Sequence, residues 1–108
     1  MKLWVDDVRP APAGYEWVKT VRGAKFKILH YESLYHYNPD YFDDDLIEVI
    51  DMDHDAGDFA QYGGDYIKLL DWLEETGRNY PIRIHSMNVV GAANMRAIIQ
   101  KNGWEEVR

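Results

Sequence analysis

The residues able to do chemistry lie in three short runs: Asp6-Asp7, Asp53-His54-Asp55 and His85-Ser86-Met87-Asn88. Gathered in one pocket, the carboxylates of Asp6, Asp7, Asp53 and Asp55 would repel one another, and burial would penalise their ionised forms further. A hard divalent cation relieves both penalties. Oxygen donors of this kind suit Mg²⁺, Mn²⁺ or Ca²⁺, and Mg²⁺ commonly combines one or two carboxylates with a substrate phosphate. His54 and His85 move the choice toward Mn²⁺ or a transition metal if either coordinates. A cation so held can activate water and clamp a phosphate oxygen. His54 or His85 can then act as acid or base, because imidazole titrates near neutral pH. Each run alone has a plainer reading, as a turn cap or a satisfied polar side chain. Their coincidence at strand ends is what points to a site.

The elements that position these runs follow from the apolar pattern. Lys2 to Val5 reads as a strand running into Asp6-Asp7, followed by a loop rich in proline and glycine through Gly14. Glu16 to Lys19 reads as a second strand. From Thr20, as cap, a helix is expected with Ala24, Ile28, Tyr31 and Tyr35 on one face, broken at Asn38-Pro39-Asp40. The rival is a hairpin turning at Arg22-Gly23. Leu46 to Asp53 carries apolar residues on both faces, as a central parallel strand requires. Within it Asp51 is set aside as a strand residue, and Asp43-Asp44-Asp45 reads as a solvated loop. Asp65 is expected to cap a helix bearing Ile67, Leu70 and Leu73, closed by Gly77. Ile82 to His85 forms another strand. A helix follows from about Gly91, with Met95, Ile98 and Ile99 inward and Gly103 at its end. Trp104 to Arg108 is a last short strand.

Strands alternating with helices imply an α/β domain with a mostly parallel sheet and helices on its faces. The first two strands are joined by a segment short for a parallel crossover, so they pair either through a helix-free crossover or as an antiparallel hairpin. In open α/β sheets ligands sit beyond the carboxyl ends of the strands, which is where all three runs fall.

The totals set bounds. The 108 residues fit one domain, 1–108, and 46% hydrophobic with 14% aromatic residues excludes a disordered tail. There is no cysteine, so disulfides and thiolate metal sites are excluded. The acidic start and the lack of a long apolar run argue against a signal peptide or membrane span, and a cytoplasmic location is expected. A net charge of −7 argues against a duplex nucleic-acid binder, though a small phosphate ester at a metal-loaded pocket remains compatible.

Three stretches together resemble the cyclic-phosphate processing receiver domains, relatives of response-regulator receivers. They are Leu3-Trp4-Val5-Asp6-Asp7-Val8-Arg9-Pro10, Asp53-His54-Asp55-Ala56-Gly57-Asp58, and Ile84-His85-Ser86-Met87-Asn88 with Gly91 and Asn94-Met95. The resemblance implies a receiver-like (flavodoxin-like) fold: a five-stranded sheet in the order 2-1-3-4-5, helices on both faces, and a first helix reduced or missing. It implies Mg²⁺ held by Asp6, Asp7 and Asp53; the residues themselves add Asp55 as a further expected ligand and Mn²⁺ as the other expected ion. Asp53 matches the phosphoacceptor position of receivers, and Ser86 the hydroxyl residue after the fourth strand. The receiver lysine after the fifth strand is missing, and Arg108 falls near its place. His54, Asp55 and His85 are additions that suit hydrolysis better than storage of an acyl phosphate.

The expected function is thus a divalent-metal-dependent phosphoesterase acting on a cyclic phosphate or a nucleotide phosphodiester. Its acid–base and reacting groups would be His54, His85 and Asp53, with Arg9, Ser86, Asn88 and Asn94 binding substrate. The expected ligand is a small phosphate ester or nucleotide, including an RNA end. The alternatives are a receiver-like phosphoacceptor and a non-catalytic nucleotide-binding or interaction module.

Overall fold

The computed structural model describes residues 1–37 and 46–108. Four strands form one all-parallel sheet: β1 (Lys2–Val5), β2 (Tyr15–Val18), β3 (Val49–Met52) and β4 (Ile82–Ile84), in the order β2-β1-β3-β4. Among the described residues three α-helices accompany them: α1 (Val21–Tyr37), α2 (Ile67–Glu75) and α3 (Val89–Asn102), with a 3₁₀ helix at Gly57–Tyr62.

Residues 20–37 resolve as a helix and not as a hairpin. Thr20 caps α1, its Oγ1 accepting from Gly23 N at 2.8 Å and its carbonyl from Ala24 N. The Tyr35 side chain, the Asn38-Pro39-Asp40 break and the Asp43-Asp44-Asp45 run lie outside the described residues. The parallel register Lys2↔Tyr15 to Val5↔Val18 settles the first junction as a crossover, and the segment between those strands carries only bends and turns. Two helix ends follow the expected chemistry. Gly77 and Gly103 take φ of +69° and +68° just beyond α2 and α3. The start of α2 differs: Tyr66 is its cap, and the Asp65 carboxylate accepts from Ala56 N at 3.0 Å, tying the loop after β3 to the helix start.

Two expectations about the sheet need correction. Where a fifth strand was expected there is a single parallel bridge, Ile82↔Glu106, with Ile82 N donating to Glu105 O and Val107 N to Ile82 O. Glutamate is a weak strand former, and Glu106 Oε1 forms an ion pair with Arg96 Nε on α3 at 3.4 Å. The second correction is that the helices share one face. Leu3, Val5, Val18, Ile50, Met52 and Ile82 point to the same side of the sheet. They form one apolar cluster with Val21, Ala24 and Ile28 of α1, Leu69, Leu70 and Leu73 of α2, and Met95 and Ile99 of α3. The reason is topological. The connections β2 to β3 and β3 to β4 advance in one direction, and right-handed crossovers place their helices on one side. Only β1 to β2 runs the other way, and that connection has no helix. Its Arg9 carbonyl instead accepts the Trp4 indole N–H at 2.8 Å on the opposite face.

That opposite face carries a cross-strand row of Trp17, Trp4, Asp51 and Arg83. Among the described residues no helix is long and apolar enough to cross a membrane.

Candidate metal and phosphate site

Ladder hydrogen bonds extend just past the strands and fix the first residue of each run. Asp6 N donates to Val18 O, Asp53 N to Val5 O and His85 N to Met52 O. The three runs thus converge at the carboxyl edge of the sheet. Asp6, Asp7 and Asp53 each offer one oxygen such that all three lie within 4.8 Å of one another. Asp6 is fully buried, whereas Asp7 and Asp53 are half-buried.

The environments of the first two differ. Burial would raise the Asp6 carboxyl. The backbone N–H groups of Arg9 and Val8, both donating to Oδ1 at 2.9 Å, and His85 against Oδ2 outweigh it and hold the group below the usual carboxylate range. Asp7 is pushed up, by burial first and then by the charges of Asp6 and Asp53. A trio that offers only oxygen donors, and whose charges push Asp7 up, fits a hard divalent cation. Loop geometry supports Asp7 as well. Gly57 has φ of +55°, and a β-carbon there would stand 2.5 Å from Asp7 Oδ2.

Behind Asp6 runs a chain of polar contacts. His85 Nε2 is 2.8 Å from Asp6 Oδ2, and His85 Nδ1 is 2.6 Å from Asp51 Oδ1. Asp51 Oδ2 accepts from Arg83 Nη1 at 3.0 Å. Trp4 stacks flat on the His85 ring, with centroids 3.8 Å apart and planes 4° from parallel. Arg9, expected at the phosphate, spends Nη1 on the His85 carbonyl at 2.7 Å. Asp51, an ordinary strand residue by its sequence, belongs to this network. A signal for it existed: Asp51, Arg83 and His85 all take the strand phase opposite to Ile50, Met52, Ile82 and Ile84.

A second cluster forms around His54. Its Nδ1 is 2.7 Å from Asp55 Oδ1, and Asn88 Nδ2 reaches both Asp55 oxygens at 3.3 and 3.4 Å. That hydrogen bond from His54 is the main influence lowering the Asp55 carboxyl. Asp55, expected as a fourth ligand, is therefore exposed and lies outside the trio, engaged with His54. Asn88 caps α3, its Oδ1 accepting from Gly91 N at 2.8 Å, and Ser86 Oγ accepts from Asn88 N at 3.1 Å. A β-carbon on Gly91 would meet the His54 ring at 2.5 Å, so the glycine is the seat of that imidazole. Asn94 is exposed one turn further along α3 and takes no part in these hydrogen bonds.

Comparison with known proteins places this arrangement. Searches of curated proteins and of solved structures find no match to the chain. A family model described as the cyclic-phosphate processing receiver domain matches residues 1–101. The chain, with its parallel sheet and its aspartates at the strand ends, belongs to the cyclic-phosphate processing receiver domain family.

Proposed function

We propose that this protein is a divalent-metal-dependent phosphoesterase that acts on a cyclic phosphate or a nucleotide phosphodiester. The observation that carries the reading is the trio of Asp6, Asp7 and Asp53, whose oxygens lie within 4.8 Å of one another at the carboxyl edge of the sheet. These three residues would hold Mg²⁺ or Mn²⁺. When bound, such a cation supplies a Lewis acid for a phosphate oxygen and a means of activating water.

The chain's own groups do the rest. Asp6 is locked by three donors and serves as the fixed corner of the trio. Asp7 and Asp53 are half-buried and provide the accessible oxygens. Asp55 orients His54 by accepting from Nδ1–H, which leaves Nε2 as the atom able to take or give a proton. The same logic of a base oriented by a third group operates in nucleophile–base–carboxylate sites. Asn88 steadies Asp55 and starts α3, so cap and acid–base pair are set together.

The direct trial is incubation of purified protein with 2′,3′-cyclic phosphates, 3′,5′-cyclic nucleotides and simple phosphodiesters in Mg²⁺ or Mn²⁺. Turnover of at least one class, abolished by chelator, is expected. No product from any class would end this reading. A phosphoryl adduct on Asp53 after exposure to a small phosphodonor, without turnover, would favour a phosphoacceptor instead.

A further inference from the structure

Asp51 is 1% exposed in the middle of β3, and the chemistry above uses none of its atoms. A buried carboxylate is tolerated only when paired and hydrogen-bonded, and this one is engaged twice, by His85 Nδ1 and by Arg83 Nη1. His85 is held from every side. Trp4 covers one face of its ring, Arg9 binds its carbonyl, and Asp51 takes Nδ1. The remaining ring nitrogen, Nε2, meets Asp6 Oδ2. Asp6 Oδ1 already accepts from two backbone N–H groups. An oxygen has two lone pairs, so Oδ2 is the Asp6 oxygen with room for a cation, and His85 sets its direction.

We infer that Asp51 is a positioning residue, which fixes the His85 ring and through it orients Asp6 toward the cation shared with Asp7 and Asp53. The inference rests on the cation reading of the trio. Partners of this kind behind a metal site are worth about 10–100-fold in metal affinity. Arg83 is partly exposed and serves Asp51 from the far side, as a counter-charge.

The test is Mn²⁺ affinity, by calorimetry or by the electron-spin signal of free Mn²⁺, for wild type, Asp51→Ala, His85→Ala and the double variant. Asp51→Ala is expected to weaken binding about tenfold. In the His85→Ala background it should cost nothing more, because residues acting as one unit are non-additive. Asp51→Asn keeps an oxygen for Arg83 and turns its amide to the ring, so it should restore most of the affinity. Spectroscopy of the metal-free, nitrogen-15-labelled protein supplies a second readout. A low-field Nδ1–H resonance of the imidazole, absent in His85→Ala, is expected in wild type. It should vanish in Asp51→Asn, where the amide donates to Nδ1, while the Nε2–H that meets Asp6 remains. If folded Asp51→Ala binds Mn²⁺ like wild type, or the two losses simply add, the positioning role is overturned while the cation reading stands. Should Asp51→Ala not fold, absence of the Nδ1–H resonance from wild type overturns it equally. Wild type that takes up no Mn²⁺ overturns the cation reading and this role with it.

Discussion

Gly57 sits so close to Asp7 that a β-carbon at position 57 would stand 2.5 Å from the Asp7 Oδ2 oxygen. The glycine also holds φ of +55°, a conformation costly for other residues. Gly57→Ala should therefore lose about 1–2 kcal/mol of stability, through backbone strain and displaced side chain together. It should also weaken Mn²⁺ binding, because Asp7 must move. Thermal melts and Mn²⁺ titration of the same variant check both parts. An unchanged affinity would show that Asp7 is not a ligand.

Gly91 and His54 form a comparable pair on the other side of the site. A methyl group at position 91 would collide with the imidazole at 2.5 Å. Gly91→Ala is expected to reduce turnover sharply and to lower the melting temperature, although alanine favours the helix more than glycine does by about 1 kcal/mol. In a His54→Ala background the collision disappears, and Gly91→Ala should then raise the melting temperature. Opposite signs in the two backgrounds would establish the contact; matching signs would refute it.

The pH dependence of the metal-free protein follows from Asp7 and Asp6, which move in opposite directions. Asp7 is pushed up by burial and by the neighbouring charges of Asp6 and Asp53, so its ionised form opposes folding at neutral pH. That penalty is relieved as pH falls through its raised value. Asp6 is held below 3.8, so the stability it contributes is complete above that value and is lost as pH falls through its folded one. The melting temperature should rise from neutral toward mildly acidic pH and then drop in strong acid. Saturating Mg²⁺ should remove the rise, since the cation meets the same repulsion. Calorimetric scans across pH, with and without Mg²⁺, test this directly.

Tyr66 offers a control outside the metal trio. It is fully buried, and its hydroxyl donates to Lys19 O at 2.8 Å. Burial is the main reason its phenol is pushed well above the ordinary range, followed by the nearby acidic charges. Tyr66→Phe leaves a buried carbonyl without that donor and should cost about 1–2 kcal/mol. A domain of this size converts each kcal/mol into a fall of about 4–8 °C in melting temperature. Mn²⁺ affinity should be unaffected.

Much of the fold was legible because strand ends, caps and acidic runs are local signals. Asp6-Asp7, Asp53 and His85 follow strands whose apolar alternation identifies them, and Thr20, Gly77 and Gly103 mark helix ends by their backbone chemistry. What escaped depends on tertiary context. The single-sided placement of the helices comes from strand order, which no single segment reveals. The fifth strand shrinks to one bridge because Glu106 turns to Arg96 on α3. Asp55 looked like a ligand by proximity to Asp53, but its partner is the neighbouring imidazole. Asp51 looked like an ordinary strand residue because its partners, Arg83 and His85, are more than thirty positions away.

The central claim is that a phosphate ester meets a cation held by Asp6, Asp7 and Asp53. Phosphorus-31 spectroscopy of a 2′,3′-cyclic phosphate with Mn²⁺-loaded protein tests it most directly, since the paramagnetic ion broadens any phosphorus bound beside it. Wild type should broaden the cyclic-phosphate line and convert it to a monoester, and Asp53→Ala should do neither. A line that stays sharp and unconverted with Mn²⁺-loaded wild type would contradict the claim.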